Sequence, residues 1–343
     1  VIVSPRAGVP GTVKEPALAA ALAGAGAALI LGLLPFNGDA PAHLYRTLLV
    51  HQGVHIWDNL WFAGDYPLAS YSGLYYVPAA LVGNLPIAVA AVVVTAALFA
   101  SLVVREWGSL ASWPARAFAI CAAGTLVTGT YPYAAGFAAV IATLRSLQAG
   151  KSWLALGLAA LTLALSPLAF AFLLVALLAV ALVQKRVGRR VIVVGIWVAA
   201  LAGVQLLALF IFPEKSIYPA NSWDLLGVLT VTTLGTLLAS RSERGRLLVV
   251  FFALWGLASI AAYLIPSPVG DNVTRLRYVV FPLVLLAAFL VSFRPRWLAA
   301  AAVTCALAYN VVPYLGDIPL HSYPQATQSG FWAPTIRYLD GNL

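Results

Sequence analysis

The chain has 343 residues, of which 62% are hydrophobic and only 9% charged, and its mean hydropathy is +0.93. No soluble domain of that length can hide so much apolar surface, which excludes water-soluble enzymes and binding modules and points to an all-α, polytopic integral membrane protein. The net charge of +9 invites a nucleic-acid reading, but the distribution of the basic residues along the chain argues against one.

The first apolar run follows a polar leader from Pro5 to Glu15 and gives way to "LLPFNGD" rather than to a small-residue cleavage site, so it reads as a retained transmembrane helix and not as a secretory signal. Apolar runs of roughly 15 to 25 residues give about eleven candidate spans: 16–34, 75–104, 116–130, 133–149, 152–166, 168–184, 190–212, 223–240, 247–265, 278–293 and 297–313. The runs from 116 to 184 are short and turn at Pro132 and Pro167, so each pair reads either as two thin helices or as a re-entrant hairpin. Alternate loops such as "QKRVGRR", "SRSERGR" and "FRPR" place fifteen of the twenty Lys and Arg residues on one side. The positive-inside rule makes that side cytoplasmic, with the amino terminus inside and the carboxyl terminus outside a plasma membrane. The basic excess is thus a topology signal, and the expected surroundings are a lipid bilayer with no nucleic-acid partner. The acids run the other way: of eleven, only Glu15, Glu106 and Glu243 fall inside. Unusual chemistry is expected on the outer face.

The first outer loop, 35–73, opens with "GDAPAHLYR". Asp39 precedes Ala40-Pro41 and suits an N-cap with Pro in the first turn. His43, Arg46 and Thr47 then recur at helical spacing, opposite Leu44, Tyr45, Leu48 and Leu49, which predicts a short amphipathic helix at the membrane surface. One reading stops there, with Asp39 capping, Arg46 on a lipid phosphate and His43 solvated. The rest of the loop, "HIWDNLWFAGDYPLASYSGLYYVP", adds Asp58 and Asp65 among Trp57, Trp61, Phe62, Tyr66, Tyr71, Tyr75 and Tyr76. Interfacial belts account for part of this aromatic density. Carboxylates that bind hydroxyls, set among aromatic faces that stack on sugar rings, also suit saccharide recognition.

These segments resemble the GT-C superfamily of membrane glycosyltransferases. The similarity in layout is to the oligosaccharyltransferase catalytic subunit, with its early Asp, its amphipathic helix and its Tyr-Pro approach to the second span, and it covers roughly residues 25–80, the remainder agreeing by topology alone. The resemblance implies a GT-C-like transmembrane domain over 1–313, with Asp39 as catalytic base or acceptor-binding acid; Asp65, which lies nearer the second span, is a second catalytic candidate of the loop. His43, Arg46, Asp58, Trp61 and Tyr66 are the substrate-binding candidates of the same loop. The second outer loop, "TGTYPY", carries no Asp-x-Asp, and the chain has no Trp-Trp-Asp-Tyr-Gly, so peptide glycosylation is not expected. No cofactor is certain; a divalent metal (Mg or Mn) is the one the resemblance allows.

Later in the chain, "GDNVTRLRYVVFP" sets Asp271, Arg275, Arg277 and Tyr278 at the outer mouth of the tenth span. Arg on that side asks for an anion, and a guanidinium fork suits phosphate; pairing with Asp271 or with lipid headgroups is the plainer reading. The resemblance implies a late-helix Arg that holds a polyprenyl phosphate, Arg277 first because it adjoins the helix, Arg275 as alternate, with Tyr278 beside them. His51 and His55 have i, i+4 spacing but no evident third ligand. Cys121 and Cys305 sit in apolar runs and suggest neither a disulfide nor a nucleophile. Segment 314–343 reads as an outer tail, with amphipathic "FWAPTIRYLDGNL" leading toward a further soluble domain.

The expected function is transfer of a sugar from a polyprenyl-phosphate-linked donor to a glycan or lipid acceptor, with Asp39 as base. A transporter or flippase of lipid-linked saccharides is the alternative, although it calls for polar groups deep in several spans. An assembly scaffold would tolerate loss of the outer acids.

Overall fold

A stripe of alanines decides how the first helix packs. In the computed structural model, which describes residues 14–33, 38–56, 58, 71–184, 188–213, 217–320 and 328–342, α1 (Lys14–Leu33) buries Ala19, Ala23 and Ala27. Their i, i+4 spacing defines one face, and such small side chains let helix backbones approach closely where lipid supplies no hydrophobic drive. After α1 come α2 (Ala40–His51), α3 (Tyr76–Val82), α4 (Asn84–Trp107), α5 (Ser112–Ala122), α6 (Gly124–Val127), α7 (Tyr131–Gln148) and α8 (Ser152–Leu165). The remainder are α9 (Pro167–Val183), α10 (Arg189–Ile211), α11 (Ser222–Ala239), α12 (Arg246–Leu264), α13 (Arg277–Leu290), α14 (Arg296–Leu320) and α15 (Ser329–Asn342). No strand occurs among the described residues.

Six helical stretches are long and apolar enough to cross a membrane: Lys14–Leu33, Asn84–Val127, Val191–Ile211, Ser222–Ala239, Glu243–Leu264 and Gly270–Leu290. Two of the expected runs differ in detail. The run at 75–104 is broken into α3 and α4 at Gly83, whose φ of +91° few other residues adopt. The run at 116–130 is divided into α5 and α6, and it packs back on α4 after the break at Gly108 (φ +70°). α7 is not among the six. It is buried on nearly every side, and a helix surrounded by protein needs no lipid-grade apolar surface.

α7 is the hub, packed against α4, α8 and α9. The chain reverses between α8 and α9 at Ser166, which is extended (φ −160°), caps α9 by accepting from Ala169 N at 3.2 Å, and is followed by Pro167. A Cβ on Gly136 of α7 would lie 2.6 Å from Ser166 Cβ, so only glycine lets this turn sit on the hub. α8 and α9 are therefore separate antiparallel helices.

Two ends of the bundle follow from the helix directions. At one, Arg116 grips Glu15 with two hydrogen bonds of 2.6 and 3.1 Å and Trp107 Nε1 donates to Arg244 O at 3.0 Å, which gathers the basic connections. At the other lie the starts of α2, α4, α7 and α13. The candidate site is at this second end.

Candidate functional site

Gly38 and Asp39 are held on the turn that ends α6. Gly38 has φ +63°, and a Cβ there would collide with the carbonyl oxygen of Thr128; Asp39 N donates to the same oxygen at 3.0 Å. Asp39 occupies the N-cap position of α2, with its carbonyl accepting from His43 N at 3.2 Å, but its side chain makes no capping hydrogen bond. The expected cap is absent because the backbone at Asp39 is itself helical (φ −77°, ψ −6°), which turns the carboxylate away from the first amides.

The carboxylate instead accepts from Arg275 Nη2 at 2.9 Å. Arg275 lies in the 3₁₀ turn Gly270–Leu276 that leads into α13, and its carbonyl accepts from Tyr133 Oη of α7 at 3.1 Å. Tyr278, one turn on, exchanges a 3.0 Å hydrogen bond with Thr128 Oγ1, which lies 3.1 Å from Thr130 Oγ1. Three distant segments thus converge: the start of α2, the "TGTYPY" turn and the start of α13. The Asp39 side chain is 45% exposed and that of Arg275 23%, so the pair sits at an open mouth where a ligand can reach both groups.

The expected partners in the first loop are arranged differently. α2 is amphipathic as predicted, but its polar face is the buried one: His43, Arg46 and Thr47 point inward while Leu44 and Leu48 are exposed. Helical spacing alone carries no sign, and lipid takes the apolar face while the bundle satisfies the polar one. His43 Nδ1 lies 2.8 Å from Tyr76 Oη, enclosed by the rings of Tyr75, Tyr76 and Tyr131. Burial lowers its pKa to about 4, against the opposing pull of Asp39, so the imidazole is neutral at pH 7. The Arg46 guanidinium stacks 4.8 Å from the Tyr76 ring centre, and its Nε lies 3.8 Å from Asp58 Oδ2; Tyr45 Oη donates to Asp58 Oδ1 at 3.4 Å. Asn84 Nδ2 donates to Thr47 Oγ1 at 2.9 Å and fixes α2 on α4. His43, Arg46 and Asp58 accordingly form a closed polar layer behind Asp39, not an open binding surface.

Arg277, the favoured phosphate ligand by sequence, is turned away from Asp39. Its Nη2 donates to Thr274 Oγ1 at 2.7 Å and its guanidinium lies 5.9 Å from the Tyr309 ring centre, on the α14 side. The residue that meets Asp39 is Arg275. Asp65, Trp61 and Tyr66 lie outside the described residues. Thr128, Thr130 and Tyr133 were not expected in the site; hydroxyls packed between two apolar runs are the signal that could have found them. Among the described residues no three His, Cys, Asp or Glu side chains gather to hold a metal, and the cation beside Asp39 is Arg275.

An apolar cavity of about 120 Å³ runs from Leu276 and Val279 past Phe137 and Phe172 to Trp107 at the basic end. Its lining reaches Leu276, the residue after Arg275, but includes neither Arg275 nor Asp39, and its other end carries Glu106 and Gln148. Comparison of the chain with protein-family models, with curated proteins and with solved structures found no match.

Proposed function

We propose that the chain is a membrane glycosyltransferase of GT-C type that moves a sugar from a polyprenyl-phosphate donor to an acceptor hydroxyl. The observation that carries this reading is the Asp39–Arg275 pair, its carboxylate about half-exposed, where the start of α2, the "TGTYPY" turn and the start of α13 converge. A donor with a phosphate head and a hydrocarbon tail suits a guanidinium placed at the end of so apolar a bundle, with the phosphate on the Arg275 fork. With the phosphate drawn onto Arg275, Asp39 is released to accept a hydrogen bond from the acceptor hydroxyl. The acceptor oxygen then forms a bond to the anomeric carbon as the bond from that carbon to the phosphate oxygen breaks. The electron pair leaves on the polyprenyl phosphate, the hydroxyl proton passes to Asp39, and the sugar is inverted. Arg275 stabilises the charge that grows on the departing phosphate.

The same reading takes the Asp39 end as the outer face of a plasma membrane, with about eleven crossings and a cytoplasmic amino terminus. The test is to incubate the purified protein with synthetic polyprenyl-phosphate sugars and glycan or lipid acceptors and to measure free polyprenyl phosphate. Release that depends on acceptor is the expected result. Movement of intact donor across a vesicle bilayer without cleavage would favour the flippase instead.

A further inference from the structure

A second cavity, of about 440 Å³, lies at the opposite, basic end of the bundle between α7, α9 and α10. Its size is within the range of about 300–1,000 Å³ common for ligand pockets. Leu174 and Leu177 of α9 and Val194 and Val198 of α10 supply apolar walls, and Arg105 and Gln148 stand at its polar edge. α10 is a peripheral helix whose outer residues, such as Ile196 and Phe210, are exposed. Gly195 faces open space, with nothing within 4 Å of where its Cβ would be.

Glu106, next to Arg105 in the chain, lines the adjoining apolar cavity and not this one. Arg105 repels the neighbouring Arg145, whose Nε donates to Ser101 Oγ at 2.8 Å while its Nη1 is buried without a partner. Among the described residues neither guanidinium pairs with a carboxylate. Gln148, only 8% exposed, gives its Nε2 to Leu102 O at 3.1 Å and leaves Oε1 unpaired, and Gln184 Nε2 on the facing wall is likewise buried and unpaired. Buried polar atoms without partners are costly. Arg105 and the Gln184 amide are donors that an anionic headgroup would satisfy, and Gln148 Oε1 is an acceptor for a headgroup hydroxyl.

We propose that this cavity binds an anionic glycerophospholipid, with one acyl chain between α9 and α10 and the headgroup phosphate at Arg105. Basic pockets between membrane helices bind anionic headgroups in this way. The proposal is independent of the sugar-transfer reading, since it uses neither Asp39 nor Arg275.

The test uses the full chain, delipidated in detergent, with dioleoyl phosphatidylglycerol, dioleoyl phosphatidylcholine or inorganic phosphate added and bound lipid counted by native mass spectrometry. The expected result is retention of phosphatidylglycerol over phosphatidylcholine, with no effect of inorganic phosphate. Arg105→Gln should weaken phosphatidylglycerol binding about fivefold, the share of one surface cation, and Arg105→Lys should restore most of it. Gly195→Leu should fill the gap and abolish retention while circular dichroism stays unchanged. Equal binding of the two lipids, competition by inorganic phosphate, or undiminished retention in both Arg105→Gln and Gly195→Leu would overturn the proposal.

Discussion

Arg275 Nη2 and Asp39 Oδ2 lie 2.9 Å apart although 236 residues separate them in the chain. The pair ties the first loop to the start of α13, yet at 45% exposure Asp39 is poorly placed to stabilise the fold, because solvent screens such a pair. In a double-mutant cycle of Asp39→Asn and Arg275→Gln, thermal unfolding in detergent should show coupling of no more than about 1 kcal/mol. Sugar transfer should show strong non-additivity, since either loss dismantles the same site.

Arg275 and Arg277 should separate cleanly. Arg275→Ala should weaken binding of a polyprenyl-phosphate donor, and Arg275→Lys, which keeps the charge and loses the fork, should recover only part. Arg277→Ala should change donor affinity far less, because that guanidinium is committed to Thr274 and the Tyr309 ring. Isothermal titration with a short-chain donor distinguishes the two.

His43 should make stability depend on pH. Its folded pKa of about 4 lies below the ordinary 6.5, so between those values the unfolded state binds a proton that the folded state does not. Stability is therefore fully present above pH 6.5 and falls as the pH drops toward 4, at no more than about 1.4 kcal/mol per pH unit. His43→Gln should flatten that slope, as measured by thermal unfolding from pH 7 to pH 4.

The tyrosines around His43 should respond in opposite directions. Tyr75 is fully buried with its hydroxyl unpaired, so Tyr75→Phe should leave stability unchanged or raise it. Tyr76→Phe removes the partner of His43 Nδ1 and should cost about 1 kcal/mol or more.

Gly38→Ala should be damaging out of proportion to its size. The new methyl would strike the Thr128 carbonyl at a positive φ, at a cost of about 1–3 kcal/mol, and the relief would move Asp39 away from Arg275. Loss of transfer with a folded circular dichroism spectrum is the expected signature.

Orientation is checked by Ser329→Cys in a background lacking Cys121 and Cys305. Impermeant thiol reagents should label it from outside intact cells; labelling from the cytoplasmic side alone would reverse the proposed sidedness.

Asp39 and Arg275 were each legible as candidates because charge is scarce in so apolar a chain and these two stand at the boundaries of hydrophobic runs. Their pairing was not, since no periodicity relates residues so far apart. Arg277 was preferred for adjoining the helix, but the 3₁₀ turn before α13 sends the two guanidiniums to different sides. The amphipathic spacing of α2 was correct and its facing was not, because a helical period is the same whether the polar stripe meets water or protein. The helical class followed from composition together with the length of the apolar runs. The break at Gly83 and the burial of α7 depend on neighbours that a hydropathy window does not see.

The most direct measurement is the turnover of Asp39→Asn with a synthetic polyprenyl-phosphate sugar donor in detergent, beside wild type at matched thermal stability. Asn keeps the shape and an oxygen for Arg275 but cannot take a proton. The account predicts a normally folded protein whose transfer is slower by about 10² to 10⁴. Wild-type turnover in Asp39→Asn would contradict it.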